Sequence, residues 1–245
     1  MRCTFAALTL LALLAVGRDA RAQNTDLLLV LAADVSRSID EGEFELQRKG
    51  YAAALSDPRV LAAIRGGTNG TIAVCFLEWS GAGEQMVVAD WVVIRDDEDA
   101  GSLSAMLRAA PRSFVGRTSI SGAIDFAMER FAAAEARSSR RIIDISGDGT
   151  NNSGRPVTEA RDQALAEGIT INGLAIINDK RNPGYTFHTQ PPGGLPEWYR
   201  QNVIGGPGAF LHVVEDFRSF ADAMTNKLVS EIAAVTREEP KAALR

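Results

Sequence analysis

Two aspartates and three hydroxyl side chains stand where apolar segments give way to polar loops. Asp34 directly follows an apolar run and opens an Asp-x-Ser-x-Ser motif. Thr118 stands just before a segment of helical character, and Asp148 follows a second apolar run and precedes a glycine. Carboxylate and hydroxyl oxygens without softer ligands suit Mg²⁺ or Mn²⁺ far better than zinc or copper. The candidate ligands for such a metal are Asp34, Ser36, Ser38, Thr118 and Asp148.

Three of these side chains also have an ordinary structural role open to them. Ser38 and Thr118 are residue types that cap the N-termini of helices, and Asp148 beside glycines is typical of a tight turn. Taken singly, each of these positions fits the structural role better than a metal site. The metal site is favoured only by the set as a whole, which depends on the elements that carry it.

Strands and helices are predicted to alternate along the chain. Apolar runs predict strands at residues 27–33, 71–79, 85–94, 141–146, 169–177 and 210–214. The second and third of these flank a Ser-Gly-Ala-Gly turn and predict an antiparallel hairpin at one edge of a sheet. Helices are predicted at residues 40–56, 101–110, 119–134 and 157–167, with a last one over about residues 217–232.

This order predicts an α/β fold with a doubly wound, mostly parallel sheet, one antiparallel edge strand and helices on both faces. In such sheets, ligands bind just beyond the carboxyl ends of the strands. Asp34 and Asp148 each come directly after a predicted strand, so we expect them at that edge. The long connection at residues 178–208 is rich in Gly and Pro, and connections of that length are usually functional or mobile.

Residues 1–22 have the features of a secretory signal peptide. Arg2 supplies the positive start, residues 5–16 are apolar, and residues 20–22 read Ala-Arg-Ala, a small-x-small cleavage site. A buried N-terminal helix is the alternative, but the apolar stretch lacks helical periodicity. We therefore expect export to the periplasm or the medium, one domain over residues 23–235, and a polar tail at 236–245.

The composition excludes several classes of partner. The chain has 245 residues, of which 46% are hydrophobic and 23% charged, with a formal net charge of -5. The predicted signal contains three arginines and one aspartate, so the exported part is more acidic still. That balance argues against nucleic acid and anionic lipid surfaces. No other stretch approaches the roughly 20 apolar residues of a membrane span.

The remaining cysteine and histidines give little support to an enzyme. Cys3 belongs to the predicted signal, and Cys75 lies in an apolar run that predicts inert packing. The sequence has no G-x-S-x-G elbow, no G-x-x-x-x-G-K-[ST] loop and no G-x-G-x-x-G after the first strand. Its two histidines, His188 and His212, lack zinc-site spacing, and His212 is predicted as a core histidine in a strand. We therefore expect no catalytic activity.

In residue type and order, the three loops resemble the metal-ion-dependent adhesion site of von Willebrand factor A (VWA) domains. The resemblance rests on the Asp-x-Ser-x-Ser from Asp34, on Thr118 before the Ser-Gly-Ala-Ile of residues 121–124, and on Asp148 followed by glycine. It covers about residues 26–234. Residues 203–210, Val-Ile-Gly-Gly-Pro-Gly-Ala-Phe, further resemble an uncharacterised branch of exported bacterial proteins with this fold.

The resemblance implies a role for each site residue. The hydroxyls of Ser36, Ser38 and Thr118 would contact the metal, while Asp34 and Asp148 would hold it directly or through water. Two carboxylates balance a dication, and neutral hydroxyls leave it electrophilic enough to take an Asp or Glu from a protein partner. The implied function is metal-dependent protein binding. The alternatives are a structural subunit without a functional metal and, last, a Mg²⁺-dependent hydrolase.

Three features depart from the common family pattern. The residues before Asp148 are Ser-Gly, where the family more often has an apolar residue and Thr, which leaves the hydrogen bonding there open. Asp144 lies inside a predicted strand, where it could support the metal site or, as we expect, pair with an arginine such as Arg141. The connection 178–208 has no counterpart in the family. Its aromatic residues could form a recognition surface or pack as a surface loop, and they are Tyr185, His188, Trp198 and Tyr199.

Overall fold

A six-stranded sheet lies at the centre of the part of the chain that the computed structural model describes, residues 23–177 and 186–233. Its strands are β1 (Leu27–Asp34), β2 (Ile72–Trp79), β3 (Gln85–Ile94), β4 (Arg141–Gly147), β5 (Thr170–Ile176) and β6 (Leu211–Val214). They lie in the order β3-β2-β1-β4-β5-β6. Neighbours are parallel except for the antiparallel pair β2 and β3. The predicted fold class, including the antiparallel edge strand, is confirmed.

Helices cover both faces of this sheet. One face carries α1 (Glu41–Leu55), α2 (Pro58–Arg65), α3 (Asp97–Ala109) and α8 (Phe220–Ala233), whose apolar residues form one core. The other face carries α4 (Ile120–Ala133), α5 (Val157–Ala166) and α7 (Leu195–Asn202), which form a second core. A short helix, α6 (Thr186–Thr189), precedes α7, and a 3-10 turn at Phe217–Ser219 precedes α8.

The burial of strand β1 explains why the apolar run at residues 27–33 is continuous. All eight of its residues are buried. Because side chains alternate across a strand, Leu27, Leu29 and Leu31 join the core under α1 and α8. Leu28 and Val30 join the core under α4 and α5. A central parallel strand with both faces covered is therefore mostly apolar, and in β1 the one charged residue is Asp34 at its carboxyl end.

The structure has helices that the sequence pattern did not predict. Helix α2 has the signals of a helix start, since Asp57 caps it and Pro58 occupies its first turn, but at eight residues it is too short for a clear periodicity. Helix α3 begins at Asp97 rather than at residue 101, because Asp96 accepts hydrogen bonds from the backbone N–H groups of residues 98 and 99. The connection predicted at 178–208 contains α6 and α7.

The partner of the buried Asp144 is a lysine, so the predicted pairing with Arg141 is wrong. Lys227 of α8 places its Nζ 2.7 Å from Asp144 and also pairs with Glu231, and all three side chains are buried. Arg141 instead donates to the carbonyl of Glu167. Burial and the nearby charge of Glu231 raise the pKa of Asp144 to about 7. Two carboxylates therefore share one ammonium group in the interior.

Two further predictions concern single residues. Cys75 is a free, buried thiol on β2, and burial raises its pKa to about 12, which confirms the predicted packing role. The prediction that His212 is a core histidine is wrong. It lies on β6, a four-residue edge strand in which only Val214 is buried. An edge strand with one uncovered side leaves its side chains partly in solvent.

The predicted signal peptide at residues 1–22 and the predicted tail at 236–245 lie outside the described residues. No helix within residues 23–177 and 186–233 combines the length and the apolar character that a membrane crossing would require.

Candidate metal site

The sheet brings the two predicted aspartates together at its carboxyl edge. Strands β1 and β4 are parallel neighbours, with Ala33 opposite Ser146, so the chain leaves both strands at the same point. Asp34 is the last residue of β1, and Asp148 directly follows β4. Both side chains are fully buried. The expectation that they lie near each other at this edge is confirmed.

The first loop is folded around its own hydroxyls. The backbone N–H of Ser36 donates to Asp34 Oδ1 at 2.7 Å. Ser36 Oγ lies 3.1 Å from Ser38 Oγ, which donates in turn to Asp148 Oδ1 at 2.6 Å. A continuous chain of oxygen atoms therefore links the first loop to the third.

Thr118 joins the same cluster from the second loop. Its backbone N–H donates to the side chain of Asn152 at 3.0 Å, and its carbonyl accepts from the backbone N–H of Asn152 at 2.9 Å. The Thr118 side chain is buried and shares with Ser38 the lining of a cavity of about 410 Å³. Thr118 and Ser38 thus line one cavity at the carboxyl edge, and Ser38 is linked by hydrogen bonds to Ser36 and Asp148.

The helix caps near the site are other residues than Ser38 and Thr118. Asp40 caps α1 by accepting from the backbone N–H of Glu43, and the Glu43 side chain accepts from the backbone of Asp40 in return. Ser119 caps α4 by accepting from the N–H of residue 122. The capping role that the residue types allow for Ser38 and Thr118 is therefore filled by their neighbours, which leaves their hydroxyls for the site.

The environment of Asp34 tests whether the site suits a cation. Burial, followed by the negative charge of Asp148, raises its pKa well above the usual range, although hydrogen bonds from Ser36 and the charge of Arg112 oppose this. Its Oδ2 is buried and has no hydrogen-bond partner within the described residues. A buried carboxylate oxygen without a partner is costly, and a bound dication would compensate it. The donor set thus fits a divalent metal.

The donor set also restricts the class of metal. Among the described residues, no group of three or more His, Cys, Asp or Glu side chains could hold a metal ion. The set predicted at the carboxyl edge contains the carboxylates of Asp34 and Asp148 and the hydroxyls of Ser36, Ser38 and Thr118. Such an all-oxygen set favours hard cations, and Mg²⁺ in particular is commonly held by one or two carboxylates.

Arg112 holds the first loop in place, and sequence reasoning missed it. Its Nη2 donates to the backbone carbonyls of Val35, Ser36 and Ile39 at 2.8, 2.9 and 2.9 Å. Three carbonyls that converge on one guanidinium fix the curvature of the loop that carries Ser36 and Ser38. The residue lies in the irregular segment before Thr118, where no periodicity or motif distinguishes it.

The described part of the long connection, residues 186–208, packs directly against the site. His188 places Nε2 2.9 Å from Thr118 Oγ1 and Nδ1 3.1 Å from Thr150 Oγ1, and its carbonyl accepts from the Thr150 N–H at 3.0 Å. Burial and the charge of Arg117 lower the pKa of His188 to about 4, so the ring is neutral at pH 7. Tyr199 is fully buried and Trp198 partly buried. Tyr185, also named from the sequence, lies outside the described residues.

Solved structures with a similar fold include several VWA-type proteins. Proximal thread matrix protein 1 from the mussel byssus aligns with a TM-score of 0.60 and 16% identity over 85% of this chain and 48% of its own. A structure of the same protein with a zinc-occupied MIDAS motif, the metal-ion-dependent adhesion site, gives 0.57 and 19% over 86% and 49%. The chain thus spans about half the length of that protein.

Two bacterial structures extend the comparison. A von Willebrand factor type A structure from Catenulispora acidiphila gives a TM-score of 0.59 and 14% identity over 85% of this chain and 43% of its own. The conserved hypothetical protein BatB from Bacteroides thetaiotaomicron gives 0.55 and 19% over 85% and 99%. These likenesses establish a VWA-like fold.

At the level of sequence, no curated protein matches the chain. One family matches residues 24–236, nearly the whole of the described fold. The protein belongs to this bacterial family, described as "Protein of unknown function (DUF1194)", and has the fold of VWA domains.

Proposed function

We propose that this protein is an exported VWA-type domain that binds Mg²⁺ or Mn²⁺ and, through the metal, an acidic group of a protein partner. The observation that carries the proposal is the buried, unpartnered Oδ2 of Asp34 in the midst of the converging oxygen side chains. The residues that would hold the metal are Asp34, Ser36, Ser38, Thr118 and Asp148. The bound metal would supply an electrophilic position for a carboxylate of the partner.

The protein's own residues prepare this site in three ways. Ser36 and Ser38 present neutral hydroxyls, so the ligand set contributes only the two charges of Asp34 and Asp148. Arg112 fixes the loop that carries the serines through its three carbonyl contacts. Asn152 ties Thr118 to the loop of Asp148. Such prior positioning lowers the ordering cost of binding.

The charge around the cavity mouth favours an acidic partner. Arg37 and Arg117 both line the cavity that contains Ser38 and Thr118, and both are exposed. Arg117 is held in place by a 2.7 Å hydrogen bond to the carbonyl of Asn152. On a chain with a net charge of -5, two arginines beside a cation site form a local positive surface. A partner segment with neighbouring carboxylates would match both the metal and the arginines.

The proposed location follows from the predicted signal peptide at residues 1–22, with 23–235 as the exported domain. An oxidising compartment is consistent with a single buried thiol, Cys75, in that domain. We therefore place the protein in the periplasm or outside the cell. A function that uses Mg²⁺ without redox chemistry is compatible with either location.

The two alternatives are less well supported by the geometry. A hydrolase would need a hydroxyl nucleophile with a free base beside it, but the bases next to Ser38 and Thr118 are occupied: Asp148 belongs to the proposed ligand set, and His188 shares its ring between Thr118 and Thr150. A structural subunit without a metal would leave Asp34 Oδ2 buried without compensation. Metal-dependent binding explains that oxygen, so we place it first.

Metal addition is expected to stabilise the protein. A ligand at 100 times its Kd raises the stability of the native state by about 2.7 kcal/mol, which for a domain of this size is about 5–10 °C in Tm. Thermal unfolding would be followed with EDTA and with Mg²⁺, Mn²⁺ and Ca²⁺ at constant ionic strength. An unchanged Tm with every cation would reject the metal site.

Binding of an acidic peptide is expected to need both the metal and Arg117. A peptide with two adjacent glutamates should bind with Mg²⁺ and not with EDTA, and the Arg117→Glu variant should weaken it about tenfold by reversing a charge at the mouth. Arg65→Glu is the matched control, because Arg65 lies exposed on α2 away from the carboxyl edge. The same peptide with glutamines should not bind. Peptide binding that persists in EDTA would contradict the proposed mechanism.

A further inference from the structure

Tyr199 has a buried hydroxyl that no described group satisfies. The residue lies on α7, has 0% exposure, and its Oη has no hydrogen-bond partner within the described residues. A buried phenol normally finds a partner, because an unmade hydrogen bond retains its full desolvation cost. The packing of the ring alone therefore does not account for a tyrosine here.

The hydroxyl faces the same small space as the unpartnered oxygen of Asp34. A Cβ built on Gly147 would lie 2.8 Å from Tyr199 Oη and 2.9 Å from Asp34 Oδ2. Since Gly147 has no side chain, that space stays open between the two groups. A tyrosine hydroxyl keeps its proton at neutral pH, because its ordinary pKa is about 10. One unmatched donor and one unmatched acceptor therefore border the same gap.

The ring of Tyr199 is held in this position by packing against β5. A Cβ built on Gly173 of β5 would lie 3.2 Å from Tyr199 Cδ1, so the ring packs flush against the sheet. The segment that follows α7 is tied to β5 by the reciprocal backbone hydrogen bonds of Ile171 and Gly205 at 2.8 and 3.0 Å. The direction in which the hydroxyl points is thus set by the core and not by a mobile surface.

We propose that Tyr199 is a positioning residue of the metal site, whose hydroxyl donates through one bridging water to one lone pair of Asp34 Oδ2 and leaves the other lone pair for the metal. This hydrogen bond orients the Asp34 carboxylate toward the metal. The inference rests on the proposed metal site and assigns part of it to α7. Groups that hold a ligand residue in this way commonly change metal affinity by 10–100-fold.

The test is the Tyr199→Phe variant, which keeps the ring and removes only the hydroxyl. Isothermal titration with Mg²⁺ or Mn²⁺ should give a Kd about 10–100 times weaker than that of the wild type. In EDTA, the Tm of the variant should stay close to that of the wild type, because the bridging water remains to donate to Asp34 Oδ2 once the hydroxyl is gone. A purely structural role would give the opposite pattern, with a lower Tm and the same Kd.

Tyr51→Phe is the matched control. Tyr51 is equally buried, but its hydroxyl lies 2.7 Å from Ser146 Oγ and so has its partner. That variant should lower the Tm in EDTA and leave the Kd for metal within about twofold, since the lost hydrogen bond is structural. An unchanged Kd in Tyr199→Phe, with a wild type that binds metal, would overturn the role of Tyr199 alone. A wild type that binds no metal would overturn the proposed function and this inference together.

Discussion

Replacement of Asp34 by asparagine is expected to abolish the metal-dependent rise in Tm without weakening the metal-free protein. The variant keeps the shape of the side chain, and its Oδ1 can still accept from the backbone N–H of Ser36. It removes one of two buried carboxylates that repel each other, the second being Asp148. In EDTA, the Tm should therefore equal or exceed that of the wild type.

The metal affinity of the same variant should fall by at least about 100-fold. Loss of an outer hydrogen-bond partner typically costs 10–100-fold, and a charged group of the site itself should cost more. Titration calorimetry and the Tm with Mg²⁺ both measure the effect. A variant that retains the wild-type Kd would show that Asp34 is not part of a metal site.

Asp26→Asn is the control for this prediction. Asp26 directly precedes β1, at the opposite end of the strand that Asp34 ends, and is also buried. Its carboxylate is satisfied, since the backbone N–H and the side chain of Asn69 donate to Oδ1 at 2.8 and 3.0 Å. The control should therefore lose stability, while the full metal-dependent rise in Tm remains.

Replacement of Lys227 by methionine should cost about 3–5 kcal/mol in the free energy of unfolding, the range found when one partner of a buried ion pair is removed. Lys227 is fully buried between Asp144 and Glu231, and it is the cation that both carboxylates contact. Methionine fills a similar volume but leaves the two acids without their ammonium group. Urea unfolding at pH 7.5 would measure the loss.

Lys49→Met provides the matched control, because Lys49 and Glu45 form an ion pair at the same four-residue spacing on the surface of α1. Both of its partners are more than half exposed, and such pairs contribute only about 0.3–0.5 kcal/mol. A triple variant with Lys227→Met, Asp144→Asn and Glu231→Gln should recover most of the stability, since no unpaired charge remains. Equal losses in Lys227→Met and Lys49→Met would contradict the importance that we assign to the buried cluster.

Patterns that are local in the sequence predicted the fold well. The continuous apolar run of β1 and the Ser-Gly-Ala-Gly turn between β2 and β3 identify a central strand and an edge hairpin, because each depends on neighbouring residues alone. Short elements were missed where no periodicity can build up, as in α2 with its eight residues. The sequence pattern also did not indicate that β6 is an edge strand, so His212 was wrongly predicted to lie in the core.

The sequence predicted the oxygen side chains of the candidate site, but not the residues that hold its loops in place. The Asp-x-Ser-x-Ser motif from Asp34, with Thr118 and Asp148, stands in the sequence as a pattern of oxygen side chains. Arg112 has no such pattern, because its contacts are to backbone carbonyls that every residue possesses. The choice of Asp40 as the cap of α1, over Ser38, likewise depends on where the helix begins in space.

The sequence by itself thus determined the α/β architecture and the oxygen-rich loops at the ends of its strands. Both the burial of a strand and the chemistry of a loop depend on residues that are neighbours in the sequence. Only the tertiary structure decided that Lys227 is the partner of Asp144 and that Tyr199 faces Asp34. The physical reason is the same in both cases. These contacts join helices to strands that are far away in the chain. Because the groups are buried, water cannot solvate the charge or the hydroxyl, and the contact with the distant residue has a large effect on stability.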